Sequence, residues 1–473
     1  MLKQASPSYI RKSMYGPDPR KRAAELAGIG ALEIRDLFPE VPEEIYREGA
    51  DLSIIRNATD AALENVNMDK IGPDDSVNIL SSQYGFQLMG GDAYAEMIRT
   101  IHDAVRARTG CENIRLRVAT GFRIREPDEI IRHYKLDEFF QGKARGVRAL
   151  DRGVPIETDI GTLYGSARVY DADWIIHAHH GELRELDMHR MINRAVKPFA
   201  MSYARMETRG VAHINFGPRS SNLIARVIFE SEFVQSKFTF GCFLLTSPEG
   251  IIGVEAGNDL DRLDRKLMTA AFKSYGKIRE LLSEITECIA VMDATGEPRY
   301  MVGGGTTFGN LTEAELDLFD LDIIPVSLGY GLYERPPGPR VSSVNPAIKA
   351  LVLNHMWLGV PQMELPTHIP TIVVGRDLAE ILDGDPMNRE FMSRVVTAEN
   401  LDTAMEFAYG IAKTDKVFVF DGSFGAMTVS ESLADFLLDR APEVRRRVDD
   451  VLMPKWLRQR GLDMEQLSDD RPD

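Results

Sequence analysis

Residues 114–131 read IRLRVATGFRIREPDEII, and the change of pattern inside this stretch decides the fold. Ile114 to Ala119 is an apolar-rich run with strand character, and it breaks at Gly121, releasing Thr120 and Arg123 at its carboxyl edge. Pro127, Asp128 and Glu129 then start a helix, because Pro suits a first turn whose N–H groups have no partner within the helix. A strand has run through a polar turn into a helix. That is the repeating unit of an α/β protein, which presents functional groups at the carboxyl ends of its strands.

The same rhythm continues on both sides. Val77 to Leu80 reads as a strand entering Ser81, Ser82, Gln83, Tyr84 and Gly85, and Tyr94 to Arg108 as a helix. Ala172 to Ile176, Phe238 to Leu245, Ile289 to Met292 and Lys416 to Phe420 are predicted strands. Leu260 to Ile285, Glu313 to Phe319 and Ala347 to Trp357 are predicted helices, and Arg20 to Glu33 an Ala-rich helical arm. Pro336, Pro337 and Pro339 make a loop, and Gly303, Gly304 and Gly305 a turn without phosphate-loop spacing. The predicted class is α/β with two domains, each a mainly parallel sheet flanked by helices. The expected division is residues 1–280, residues 281–440, and a charged peripheral tail at 441–473.

Composition narrows the function. The 56 Lys and Arg against 72 Asp and Glu give a formal charge of −16, which disfavours nucleic acid and anionic lipid as partners. A pocket rich in Arg and His can still admit a small anionic substrate. Cys111, Cys242 and Cys288 form no CxxC pair and read as buried thiols in a reducing compartment. With no apolar run of membrane-spanning length and no signal-like start, a cytoplasmic location is expected. Oligomeric state is not legible.

Five of the nine histidines, His177, His179, His180, His189 and His213, fall within residues 172–213. On a strand His177 and His179 share one face and His180 takes the other. Such a group can bind a metal or move protons, or it can be a strand end whose imidazoles are satisfied internally. The polar run that follows contains Asp187, His189 and Lys197, residue types suited to proton transfer and to holding a carboxylate or a covalent group.

Together these pieces resemble the nickel-pincer lactate racemase family. Val118 to Arg123 with its helix start is similar to that family's ATGxH segment, and residues 152–155 and 172–173 to its next two strand regions. Ile251 to Asp259 resembles its IIGxxAGD turn, and Asn400 to Glu406 with Asp421 to Gly425 its LDEAME helix and PDGLG strand end. The resemblance implies an active site in an interdomain cleft, a pincer nucleotide held covalently by a Lys, and nickel ligated by a His sixteen residues later. Lys197 and His213 stand at that spacing. Arg123 occupies the place of one catalytic histidine. His189 and Asp187, with His180 farther off, are the candidates for the other. Where the family carries Asp-x-Thr-Arg, this chain reads Ser81 to Gly85.

The implied function is an isomerase, a racemase or epimerase of a 2-hydroxy acid. The alternatives are a lyase or hydrolase for a sugar acid that uses a conventional divalent metal at His177, His179 and His213, or a hydroxy-acid-binding protein without catalysis or cofactor.

Overall fold

In the computed structural model Asn113–Ala119 is a strand and Glu126–His133 the helix that follows it. The structure describes residues 2–4, 21–47, 49–82, 85–86, 91–120, 126–180, 195–214, 223–293, 347–355, 369–421 and 425–459. Within them the strands run β1 (Ile29–Glu33), β2 (Ser76–Ser82), β3 (Asn113–Ala119), β4 (Ala144–Val147), β5 (Gly153–Thr158), β6 (Gly161–Ser166), β7 (Trp174–His180) and β8 (Phe238–Ser247). They continue with β9 (Gly250–Gly257), β10 (Cys288–Asp293), β11 (Ile348–His355), β12 (Thr371–Val374), β13 (Val396–Ala398), β14 (Val417–Phe420) and β15 (Ala426–Ser430).

The chain forms two units, each α/β. Apart from short stretches outside the described residues, one is built from residues 43–271, and the other from residues up to 42 and from 272 onward. This departs from the expected 1–280 and 281–440. The first residues belong with the last because β1 pairs antiparallel with β15, Ile29 against Ser430 and Glu33 against Ala426.

In the 43–271 unit the sheet order is β4-β3-β2-β7-β8-β9, with only β9 reversed, and β5 and β6 form a separate hairpin. Helix Gly91–Thr109 joins β2 to β3 and helix Glu126–His133 joins β3 to β4. Leu80, Ile175, Phe199, Tyr203, Ile228 and Phe243 belong to one buried core on this sheet. In the other unit the order is β1-β15-β14-β10-β11-β12-β13, with only β15 reversed. Its core includes Ile289, Val291, Val352, Ile372, Leu401 and Val419. Central strands such as β10 and β12 are buried along their whole length, as parallel strands covered on both faces must be.

Three expected elements differ. Residues 348–355 are strand β11, not a helix: Ala and Leu favour helix locally, but the run is buried between β10 and β12, where ladder pairing decides. Residues 29–33 are β1 for the same reason, with only a short 3-10 turn at Ala23–Glu25 from the expected helical arm. Residues 441–459 of the expected tail are not peripheral. Helix Glu431–Arg447 and its continuation to Gln459 bury Ala441, Val444, Val448 and Trp456, and the Lys277 ammonium, itself buried, pairs with Asp449 at 2.9 Å and with Glu40. Residues 313–319 and 335–339 lie outside the described residues. Among the described residues no helix is long and apolar enough to cross a membrane.

Candidate active site at the carboxyl edge of the first sheet

β7 begins with Trp174, Ile175 and Ile176 and ends with His177, Ala178, His179 and His180, all four of the latter buried. Alternation along the strand separates the histidines. The His177 and His179 rings lie nearly parallel with centroids 5.2 Å apart, and both meet Phe243 on β8 edge-on. His180 faces the side covered by helix Gly91–Thr109, where its ring lies 6.0 Å from that of Tyr94, whose hydroxyl donates to the Ala178 carbonyl at 2.7 Å. Gly85 runs so close to the Tyr94 ring that a Cβ there would collide with it.

His177 uses both its nitrogens inside the protein. Nε2 is 2.9 Å from the Ala195 carbonyl and Nδ1 is 2.9 Å from the Tyr203 hydroxyl. A carbonyl can only accept, so Nε2 carries the proton, and Nδ1 accepts from Tyr203. Burial holds the His177 pKa down at about 3, against the smaller opposing effect of the Ala195 bond, so the ring is neutral. Serving as a metal ligand would cost it one of these two bonds. Among the described residues no three His, Cys, Asp or Glu side chains converge as metal ligands.

The Ala195 peptide is held at its other end as well, its N–H donating to the buried carboxylate of Asp264 at 3.0 Å. Two residues later, Lys197 opens the short helix Lys197–Ala200 with Pro198 in its first turn, and the lysine is only 8% exposed. His177 and Asp264 thereby fix the approach to Lys197. His213 lies on the next helix, Met206–Ile214. Arg123, Asp187 and His189 lie outside the described residues.

Around this turn the edges of neighbouring strands are also polar and buried. Ser82 at the end of β2 is 3.2 Å from the Ser202 hydroxyl, and Thr120, just past β3, is held by its N–H donating to the Val147 carbonyl at 2.9 Å. Arg209 on helix Met206–Ile214 is buried, with its guanidinium directed at the carbonyls of Thr120, Ser202 and Ala204. None of Tyr203, Asp264 and Arg209 was singled out by the sequence. For Arg209 the available signal was a charge one turn before Ala212 on a short helix, and for Asp264 a charge between Leu260 and Leu267.

Cys111, Cys242 and Cys288 are held as buried, protonated thiols. All three are buried and unpaired by disulfide, and burial raises their thiol pKa values, that of Cys288 to about 12.

No protein-family profile matches the sequence, and no curated protein matches it. Among solved structures, the lactate racemase apoprotein from Thermoanaerobacterium thermosaccharolyticum is similar at 14% identity with a TM-score of 0.45, over 83% of this chain and 98% of that one. At that distance the likeness concerns the course of the backbone and carries no residue role with it.

Proposed function

We propose that the chain is an isomerase that inverts the carbinol carbon of a small 2-hydroxy acid, with a nickel-pincer nucleotide joined to Lys197. The observation that carries this reading is the setting of Lys197: a largely buried lysine on a turn whose approach is pinned at Ala195 by His177 of β7 and by Asp264. A lysine kept out of water on a fixed backbone suits a covalent anchor, since a flexible amine would lose the geometry that the chemistry needs.

The residues fit the group at the anchoring position. Lys197 would hold it and His213, sixteen residues on, would ligate the metal. A Cα–H beside a hydroxyl is too weakly acidic for a side chain to remove unaided, and the bound group would supply a hydride acceptor at that carbon. The protein's own part is positioning and proton transfer. Arg123 would hold the carboxylate through a bidentate pair, and His189 would take and return the hydroxyl proton, Asp187 and His180 being the other candidates for that transfer. The engagement of both His177 nitrogens speaks against the conventional metal set of His177, His179 and His213.

The test is intact mass and bound-metal analysis of protein produced with and without the enzymes that make the pincer nucleotide, alongside a lactate racemase control. The expected result is an adduct on Lys197 with about one nickel per chain, and epimerisation of 2-hydroxy acids that keeps a Cα deuterium label. Unmodified protein beside a modified control overturns the proposal.

A further inference from the structure

Arg209 sits among buried neighbours, with Thr208 and Ala212 on the same short helix also out of solvent. Its Nε donates to the Ala204 carbonyl at 3.0 Å, and one terminal nitrogen donates to the carbonyls of Thr120 and Ser202, each at 3.1 Å. These three acceptors come from two separate stretches of chain. Thr120 is the last residue before 121–125, the segment that contains Arg123, whereas Ser202 and Ala204 lie between the Lys197 turn and the helix that contains His213.

Burying a guanidinium is costly unless its donors are met, and backbone carbonyls take three of its five N–H groups through the planar fork that only Arg offers. An apolar residue at position 209 would fill the space without that cost. What it could not do is join the backbone after β3 to the backbone after Lys197. Ser82 adds a weaker tie to the same region through the Ser202 hydroxyl at 3.2 Å.

We infer that Arg209 is a positioning residue, whose guanidinium sets the backbone leaving β3 at Thr120 against the turn that carries Lys197. The inference rests on the site reading above, in which Arg123 holds the substrate carboxylate and Lys197 the cofactor. Arg209 touches neither. It acts through the Thr120 and Ser202 carbonyls, so its loss should weaken substrate binding and leave attachment at Lys197 intact.

The experiment compares the full-length protein with Arg209→Met and with Arg209→Lys, which keeps the charge but loses the fork. Backbone hydrogen exchange of the protein without cofactor is read first. The expected result for Arg209→Met is exchange faster by roughly tenfold in peptides covering 118–126 and 200–206, with β8 unchanged and Arg209→Lys in between. In cofactor-loaded protein the expected result is a KM for the hydroxy acid raised roughly tenfold or more, with adduct occupancy at Lys197 within twofold of the parent. Unchanged local exchange in both variants overturns the inference, and so does faster exchange spread evenly over the unit with a lowered melting temperature. If the parent carries no adduct and turns over no hydroxy acid, but exchange rises only in those two segments, the proposed function fails while the positioning role of Arg209 stands.

Discussion

The Nε2 of His177 donates to the carbonyl of Ala195, so a side chain within the sheet fixes the peptide two residues before Lys197. Replacing His177 with Phe preserves a ring of similar size but strips partners from the Ala195 carbonyl and the Tyr203 hydroxyl, both buried. A loss of about 2–6 kcal/mol is expected in denaturant unfolding, at roughly 1–3 kcal/mol for each of the two polar groups left without its bond. The pH dependence has a definite sign. With the native pKa at about 3, the unfolded chain takes up a proton below pH ~6.5 that the native chain does not, so stability falls as pH drops from about 6.5 toward 3. His177→Phe should flatten that slope, and a variant as stable as the parent with an unaltered slope would show that the ring does not hold the turn.

Lys197→Met should abolish the mass adduct, and with it all epimerisation, in protein co-produced with the pincer-synthesis enzymes. Lys197→Arg should do the same, because a guanidinium does not replace a primary amine as covalent anchor. Both variants should fold, which circular dichroism and melting temperature will check. An adduct retained on either variant would place the attachment elsewhere.

Asp293 ends β10 fully buried. It accepts from the Ala23 N–H at 2.8 Å, Arg22 Nε at 3.1 Å and the Asn354 amide at 2.8 Å. Burial raises its pKa to about 6, with Asp421 adding to the rise and Arg22, Ala23 and Asn354 opposing it. A carboxyl whose native pKa lies above its unfolded value stabilises the native chain at low pH, and that contribution is lost as pH rises from about 4 through about 6. The stability difference between the parent and Asp293→Asn should therefore shift toward the variant across that window, by on the order of 3 kcal/mol. Melting curves at pH 4, 5, 6 and 7 measure it, and a constant difference would refute the assignment.

Asn400 caps helix Leu401–Ala412, its side chain accepting from the Thr403 N–H at 3.0 Å. Asn400→Ala should cost about 1 kcal/mol in equilibrium unfolding, because the first-turn donor loses its partner. No effect on Lys197 modification is expected, since the two residues belong to different units.

What the sequence made legible follows from periodicity. The break at Gly121 located the end of β3, the apolar start of β7 located the histidines at its carboxyl end, and strand alternation placed His177 and His179 on one face. Periodicity is a local quantity, and it failed where distant pairing decides. Residues 348–355 carry helix-forming Ala and Leu yet lie in a sheet, and residues 29–33 find their partner at the far end of the chain. The site was legible as a cluster of residue types and not as contacts. That His177 spends both nitrogens on Tyr203 and Ala195, and that Arg209 gathers carbonyls from two stretches, depends on chain crossings that no spacing records.

The pairing of β1 with β15 bears on how the protein is made. Residues 43–271 can close their own sheet while translation continues, but β1 leaves the ribosome roughly 400 residues before the strand that will receive it. Throughout that interval a nascent apolar segment lacks the edge it joins, because β15 is made only after β10 to β14. The last helix among the described residues, which buries Trp456, comes later still. Premature termination between residue 271 and β15 would thus release a chain with one finished unit and an unpartnered strand, a substrate for chaperones and proteases.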